Sequence, residues 1–119
     1  MPKTMPSLKE KKRYIFFRVH SDGKLFYPDM KNAIVSSLLN WLGEQELAKA
    51  NIWVVKNLWD GSRGVIKCSH RHVDSVKAGL SMVHQIGDQR VIPETLRVAG
   101  TIKSGKSGLS GTGEAVQKR

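Results

Sequence analysis

A single cysteine, Cys68, leaves the 119-residue chain without an internal disulfide, so a reducing compartment and a cytoplasmic location are expected. No apolar run approaches the roughly 18 residues that would span a bilayer. The lysines near the N-terminus are not followed by the apolar stretch and small-residue cleavage site of a secretory leader. The basic ends also carry no large amphipathic helix of the kind that holds a protein on a membrane surface. Carboxylates are scarce and scattered: ten Asp and Glu stand against twenty Lys and Arg. No two of them sit at a spacing that marks paired acid–base chemistry, and catalytic residues are expected to be none.

The imbalance itself is informative. The formal net charge is +10 and the sequence pI about 10.1, and the excess gathers at the two ends. Lys3, Lys9, Lys11, Lys12 and Arg13 precede the first apolar run against Glu10. Arg97, Lys103, Lys106, Lys118 and Arg119 follow the last one against Glu114. Such a distribution is the electrostatic footprint of a protein that meets a polyanion, and nucleic acid is the commonest. Each phosphate neutralised releases counterions, so mobile basic ends add affinity without needing a folded core.

Residues 1–12 read as a basic arm, 13–103 as one folded domain and 104–119 as a Gly/Ser-rich tail expected to be disordered. Residues 13–20 alternate, with Ile15, Phe17 and Val19 on one side and Tyr14, Phe16, Arg18 and His20 on the other, the period of a strand. Pro28 and Asp29 open a helix predicted to run to Leu42, where Gly43 ends it. Its apolar residues form two adjoining stripes, Met30/Ile34/Leu38/Trp41 and Val35/Leu39/Leu42. Together they cover about 160° of the helix, against the roughly 100° that one sheet face requires.

Residues 51–59 read as a second strand, Asp60, Gly61 and Ser62 as a turn, and residues 64–68 as the strand that returns. Ser69 is placed to cap a second helix whose core stripe is Val73, Val76, Leu80 and Val83. A last strand over residues 90–98 contains Pro93, which confines it to a sheet edge. One right-handed crossover is expected to set the first and third strands side by side and parallel, with the second strand outside the third and the last beside the first. The fold class is therefore α+β: a two-layer, ferredoxin-like (RRM-like) βαββαβ sandwich with both helices on one face.

Three local patterns suggest chemistry. Residues 100–107 match the phosphate-binding GxxxxGK[ST] pattern. That mechanism needs a helix opening at Lys106 and Ser107, and Gly108, Gly111 and Gly113 follow instead. Cys68, His70 and His72 alternate as chelating ligands would, but no spacing rule brings in the remaining ligands, and no metal site is predicted. Tyr14 and Phe16 offer half of a base-stacking platform, whereas residues 63–67 of the third strand offer no aromatic. Recognition of a folded RNA by shape and backbone is the expectation, with Tyr14 and Phe16 packed under another segment or a partner.

Several segments, in this order, carry a family likeness: Lys12-Arg13-Tyr14-Ile15, Leu42-Gly43, Leu47-Ala48-Lys49-Ala50, Gly64-Val65-Ile66-Lys67-Cys68, Val76-Lys77-Ala78-Gly79-Leu80 and Gly100-Thr101-Ile102-Lys103. Together they resemble ribonuclease P protein component 2, the small archaeal subunit related to a eukaryotic RNase P and MRP protein, over residues 9–103. The resemblance implies a ribonucleoprotein that removes 5′ leaders from precursor tRNA, with hydrolysis by the RNase P RNA and its Mg²⁺ and no cofactor in the protein. It implies a second, TIM-barrel-like protein subunit and a dimer of heterodimers. The Gly/Ser-rich ending departs from the more basic one that the family would carry.

On charge, the expected RNA contacts are Lys11, Lys12, Arg13, Arg18, Lys67, Arg71, Lys103 and Lys106. The wide apolar face of the first helix makes Val35, Leu39 and Leu42 candidates for a protein interface, unless Leu47 or the arm closes over them as a satellite cluster. Two other readings are a generic RNA-binding module of ribosomal or RNA-chaperone type, and a small nucleotide-binding enzyme using residues 100–107.

Overall fold

The computed structural model describes residues 11–103. Strand β1 (Lys12–His20) leads into helix α1 (Tyr27–Ala50), and a short strand β2 (Trp53–Val54) is followed by a 3-10 turn at Lys56–Leu58. Strand β3 (Arg63–Ser69), a 3-10 turn at His70–His72 and helix α2 (Val73–Ser81) come next. Two short strands, β4 (Gln85–Ile86) and β5 (Gln89–Arg90), form a separate hairpin before β6 (Ile92–Ala99). The main sheet has the order β2-β3-β1-β6, as the sequence predicts, and Pro93 lies in an edge strand opposite Val19.

The orientation of the central pair differs from the expectation. β1 and β3 are antiparallel, from Lys12 opposite Ser69 to Arg18 opposite Arg63. The crossover through α1 carries the chain back beyond a gap one strand wide, and the reversal at Asp60 sends β3 into that gap antiparallel to both neighbours. The Asp60 carboxylate holds the reversal by accepting the amide N–H groups of Ser62 at 2.9 Å and Arg63 at 2.7 Å. Partial burial pushes its pKa up, but those amides and the Arg63 guanidinium outweigh it and hold the carboxyl below its ordinary range.

α1 also runs further than predicted. Gly43 does interrupt it, at φ 83° and ψ 166°, but a second helical segment continues to Ala50, where Asn51 closes it in the left-handed region at φ 53°. The sequence after the glycine, Glu-Gln-Glu-Leu-Ala-Lys-Ala, consists of strong helix formers, and buried Ala50 with half-buried Leu47 anchors it to the core. The expected second strand survives only as two residues. Beyond Val54 the chain turns so that Trp59 donates its indole N–H to the Leu25 carbonyl at 2.9 Å and stacks on Phe17, with ring centres 6.2 Å apart. The last strand starts at Ile92 instead of 90, since Gln89 and Arg90 belong to the small hairpin. Ser69 caps the 3-10 turn through the Arg71 amide, so α2 proper begins at Val73.

The core lies between the helices and one sheet face. Ile15, Phe17 and Val19 from β1 meet Met30, Ile34 and Leu38 from α1 and Val76 and Leu80 from α2. The helices touch at Gly79, where an added methyl would stand 2.5 Å from Leu38 Cδ2, and Ser37 donates its hydroxyl to the Gly79 carbonyl at 2.7 Å. Leu38 is fully buried and has little room to yield. Gly79→Ala is therefore expected to cost about 1–3 kcal/mol, read as an earlier midpoint in urea, and an unchanged midpoint would mean that the helices slide freely.

Candidate nucleic-acid interface

The sheet face away from the helices is built by strand alternation. With Ile15, Phe17 and Val19 in the core, Lys12, Tyr14, Phe16 and Arg18 must point the other way. Register then sets their neighbours: Lys67 beside Tyr14, Val65 and Arg97 beside Phe16, Arg63 and Glu94 beside Arg18. The middle of this face is not bare. Phe16, Val65 and Ala99 form a second buried cluster, covered by Tyr14, Val55, Leu58, Leu96 and Ile102. The chain's own segments after β2 and β6 thus pack on the cluster that holds Phe16, as expected of that residue, whereas Tyr14 is half-buried at the cluster's margin.

Cations surround that apolar centre. Antiparallel pairing brings the start of β1, the end of β3 and the end of β6 to one end of the sheet. Lys11, Lys12, Arg13, Arg71 and Lys103, far apart in sequence, therefore share that end. Lys11, Arg71 and Lys103 are exposed, while Lys12 and Arg13 are half-buried. The Lys11 carbonyl accepts the His70 amide at 2.8 Å, which ties the first described residue to the turn carrying Arg71. Arg13 folds back to donate to the Lys12 carbonyl at 2.9 Å. Lys67 lies one residue pair further in, beside Tyr14, and Arg18 lies at the opposite end. Lys106 is outside the described residues.

Charge alone passed over Arg63 and Arg97, which alternation places on the same face as Arg18 and Lys67. It also passed over Trp53, whose register opposite Lys67 puts it in the same row as Tyr14 and which is 64% exposed.

The other candidate chemistries look different in three dimensions. Ile102 and Lys103 are already helical, in the stretch that a phosphate-binding loop would need as open backbone; Lys106 and Ser107 lie outside the described residues. Cys68 is fully buried, and burial pushes its thiol up to about 11 against the opposing charge of Lys12. His70 turns its Nδ1 to the Lys11 carbonyl and His72 its Nε2 to Glu46. Among the described residues no group of three or more His, Cys, Asp or Glu side chains is placed to hold a metal ion. No helix among them is long and apolar enough to cross a membrane.

Of the predicted interface residues, Val35 and Leu39 line an open cleft of about 590 Å³ between the two segments of α1 and β2, with Leu47, Ile52 and Trp53 on its other walls. Leu47 borders the cleft without closing it, and residues 1–10 of the arm lie outside the described residues. Leu42 turns instead toward the main core.

A four-stranded antiparallel sheet with two helices on one face and a cationic rim on the other defines a small α+β sandwich of the ferredoxin-like, RRM-like class. The chain belongs to the Rpp14/Pop5 family, whose sequence model matches residues 13–110. It is 40% identical over 103 residues to "Ribonuclease P protein component 2" of Pyrococcus furiosus, covering 86% of each chain. Proteins of the same name from Archaeoglobus fulgidus and Methanocaldococcus jannaschii are each 36% identical, over 82% and 89% of this chain and 87% and 78% of theirs. In fold the chain is similar to one in the cryo-EM structure of yeast ribonuclease MRP, with a TM-score of 0.62 at 10% identity, over 97% of this chain and 100% of that one.

Proposed function

We propose that this chain is a protein subunit of ribonuclease P, supporting a catalytic RNA in the endonucleolytic removal of 5′ leaders from precursor tRNA. Membership of the Rpp14/Pop5 family, with relatives named as ribonuclease P components at up to 40% identity, supports the assignment. The observation that carries the mechanism is the convergence of Lys11, Lys12, Arg13, Arg71 and Lys103 on one end of the sheet. Phosphates brought close in a folded RNA repel one another, and a fixed array of cations offsets that repulsion where the RNA strands converge. The protein lowers the Mg²⁺ needed to hold the active fold, and the Mg²⁺ that takes part in hydrolysis is carried by the RNA.

The acidic side chains engaged in ion pairs serve structure. Asp60 holds a turn, Glu94 meets His20 at 2.8 Å, and Glu46 lies 3.3 Å from Lys49 and 3.4 Å from His72. The cleft at Val35 and Leu39 is the docking place for a second protein subunit, of TIM-barrel-like fold, within a dimer of heterodimers. The complex works in the cytoplasm.

Replacing Lys11 and Lys103 together by alanine is expected to flatten the plot of log K against log salt by about 0.7–0.9 for each phosphate no longer neutralised, with the melting temperature unchanged. An unchanged slope would take that end of the sheet off the RNA.

A further inference from the structure

Arg18 stands between an arginine on β3 and a carboxylate, Glu94, on β6, and its guanidinium is paired with neither. Its cross-strand partner is Arg63, which places their Cβ atoms about 5 Å apart, where like charges repel. The two carboxylates that could neutralise Arg18 are engaged elsewhere: Asp60 with Arg63 at 3.4 Å, Glu94 with His20 at 2.8 Å. Among the described residues Arg18 has neither an ion-pair nor a hydrogen-bond partner. It lines a polar cleft of about 310 Å³ with Lys24, His20, Asp60 and the Gly61–Ser62 turn, and the Lys24 stem runs across Gly61. On the other side of the Arg18–Arg63 pair is a second, smaller depression of about 130 Å³. It is apolar and is walled by Leu58, Leu96, Phe16 and Val65, with Arg63 at its edge.

The two depressions lie on either side of the arginine pair: one is polar, with Arg18 and Lys24 available because its Asp60 carboxylate already engages Arg63, and the other is apolar. We infer that together they hold one unpaired nucleotide of the RNA, its base in the slot between Leu58 and Leu96 and its phosphate against Arg18 and Lys24. This rests on the ribonuclease P reading, since it names what the sheet face grips. At about 130 Å³ the slot is too small for a helix and is of the size of a single base. A base there exchanges water for apolar walls, while its phosphate relieves the repulsion between the two arginines. The gain is independent of duplex shape, which distinguishes this site from the basic end of the sheet around Lys11 and Lys103.

The test uses the full chain with fluorescein-labelled decauridylate and with an RNA duplex carrying the same number of phosphates. Leu58→Ala, which widens the slot, and Leu96→Phe, which fills it, should each weaken decauridylate about fivefold or more without changing the salt slope or duplex binding. Arg18→Ala should lower the decauridylate slope by about 0.7. Thermal melts monitored by circular dichroism identify any variant that fails to fold, and the two slot variants act through opposite changes in volume. An unchanged decauridylate slope in Arg18→Ala would overturn the inference. So would unchanged decauridylate affinity in both slot variants while the wild type still binds RNA, which leaves the ribonuclease P reading standing. Failure of the wild type to bind either RNA would instead overturn that reading, and this inference with it.

Discussion

Val35→Asp combined with Leu39→Asp is expected to weaken association with the second protein subunit by at least about 100-fold while leaving the far-ultraviolet circular dichroism of the isolated chain intact. The reason lies in one turn of α1. Ile34 and Leu38 are fully buried and hold the helix to the sheet. Val35 and Leu39, each one position further on, are rotated about 100° away into the cleft of about 590 Å³. Leu39 is 39% exposed and Trp53, on the facing wall, 64%. Apolar surface of this kind on a basic protein is the usual centre of a protein contact. Two carboxylates there would be desolvated without partners on docking, about 3 kcal/mol or more between them. Leu42→Asp is the contrasting variant: its side chain packs on the main core, so it should unfold the chain. Loss of helical signal in the double variant would assign Val35 and Leu39 to the core, and undiminished association would move the contact elsewhere.

Phe17→Ala should cost about 3–5 kcal/mol, a large part of the roughly 5–15 kcal/mol that holds a domain of this size together. Phe17 is fully buried, stacks on Trp59 and lies where an added methyl on Gly64 would stand only 2.9 Å from its Cζ. Nothing in so tight a site can collapse into the space that the ring would vacate. Phe16→Ala, one residue earlier and on the other face, should cost less, because Phe16 belongs to the smaller cluster with Val65 and Ala99, roofed by partly buried side chains that can shift, whereas Phe17 sits in the main core. Urea titration of the two variants checks the order, and equal losses would mean that both faces of the sheet are equally sealed.

The residues that alternate along β1, the edge position of Pro93 and the strand order were legible in the sequence because each rests on a local rule with a single outcome. Strand direction was not. It depends on whether the gap left by the crossover is filled by the returning hairpin strand, which no local pattern states. The second half of α1 was hidden by Gly43, which signals a stop; helix formers after it resumed the helix at a new angle. The short β2 was hidden in the same way: the run of Val, Ile and Trp reads as strand, but Trp59 and Leu58 are drawn to opposite faces of the sheet.

For the site, charge found the cations at the ends of the chain, and antiparallel pairing explains why Lys11, Arg71 and Lys103 come together. Arg63 and Arg97 were harder to see, since their importance lies in the neighbours that register gives them. The same holds for Arg18, which charge did identify but whose place between Arg63 and Glu94 only the fold reveals. Val35 and Leu39 stood out as excess apolar width on a helix, whereas Leu42 shares that stripe and serves the core.

Cleavage of precursor tRNA by the cognate RNA, reconstituted with and without this chain across a Mg²⁺ titration, tests the account most directly. The chain should shift the Mg²⁺ requirement to lower concentration, with no cleavage when the RNA is left out and a reduced shift in the Lys11→Ala, Lys103→Ala variant. Cleavage by the chain in the absence of RNA, or an identical Mg²⁺ curve with and without it, would contradict the account.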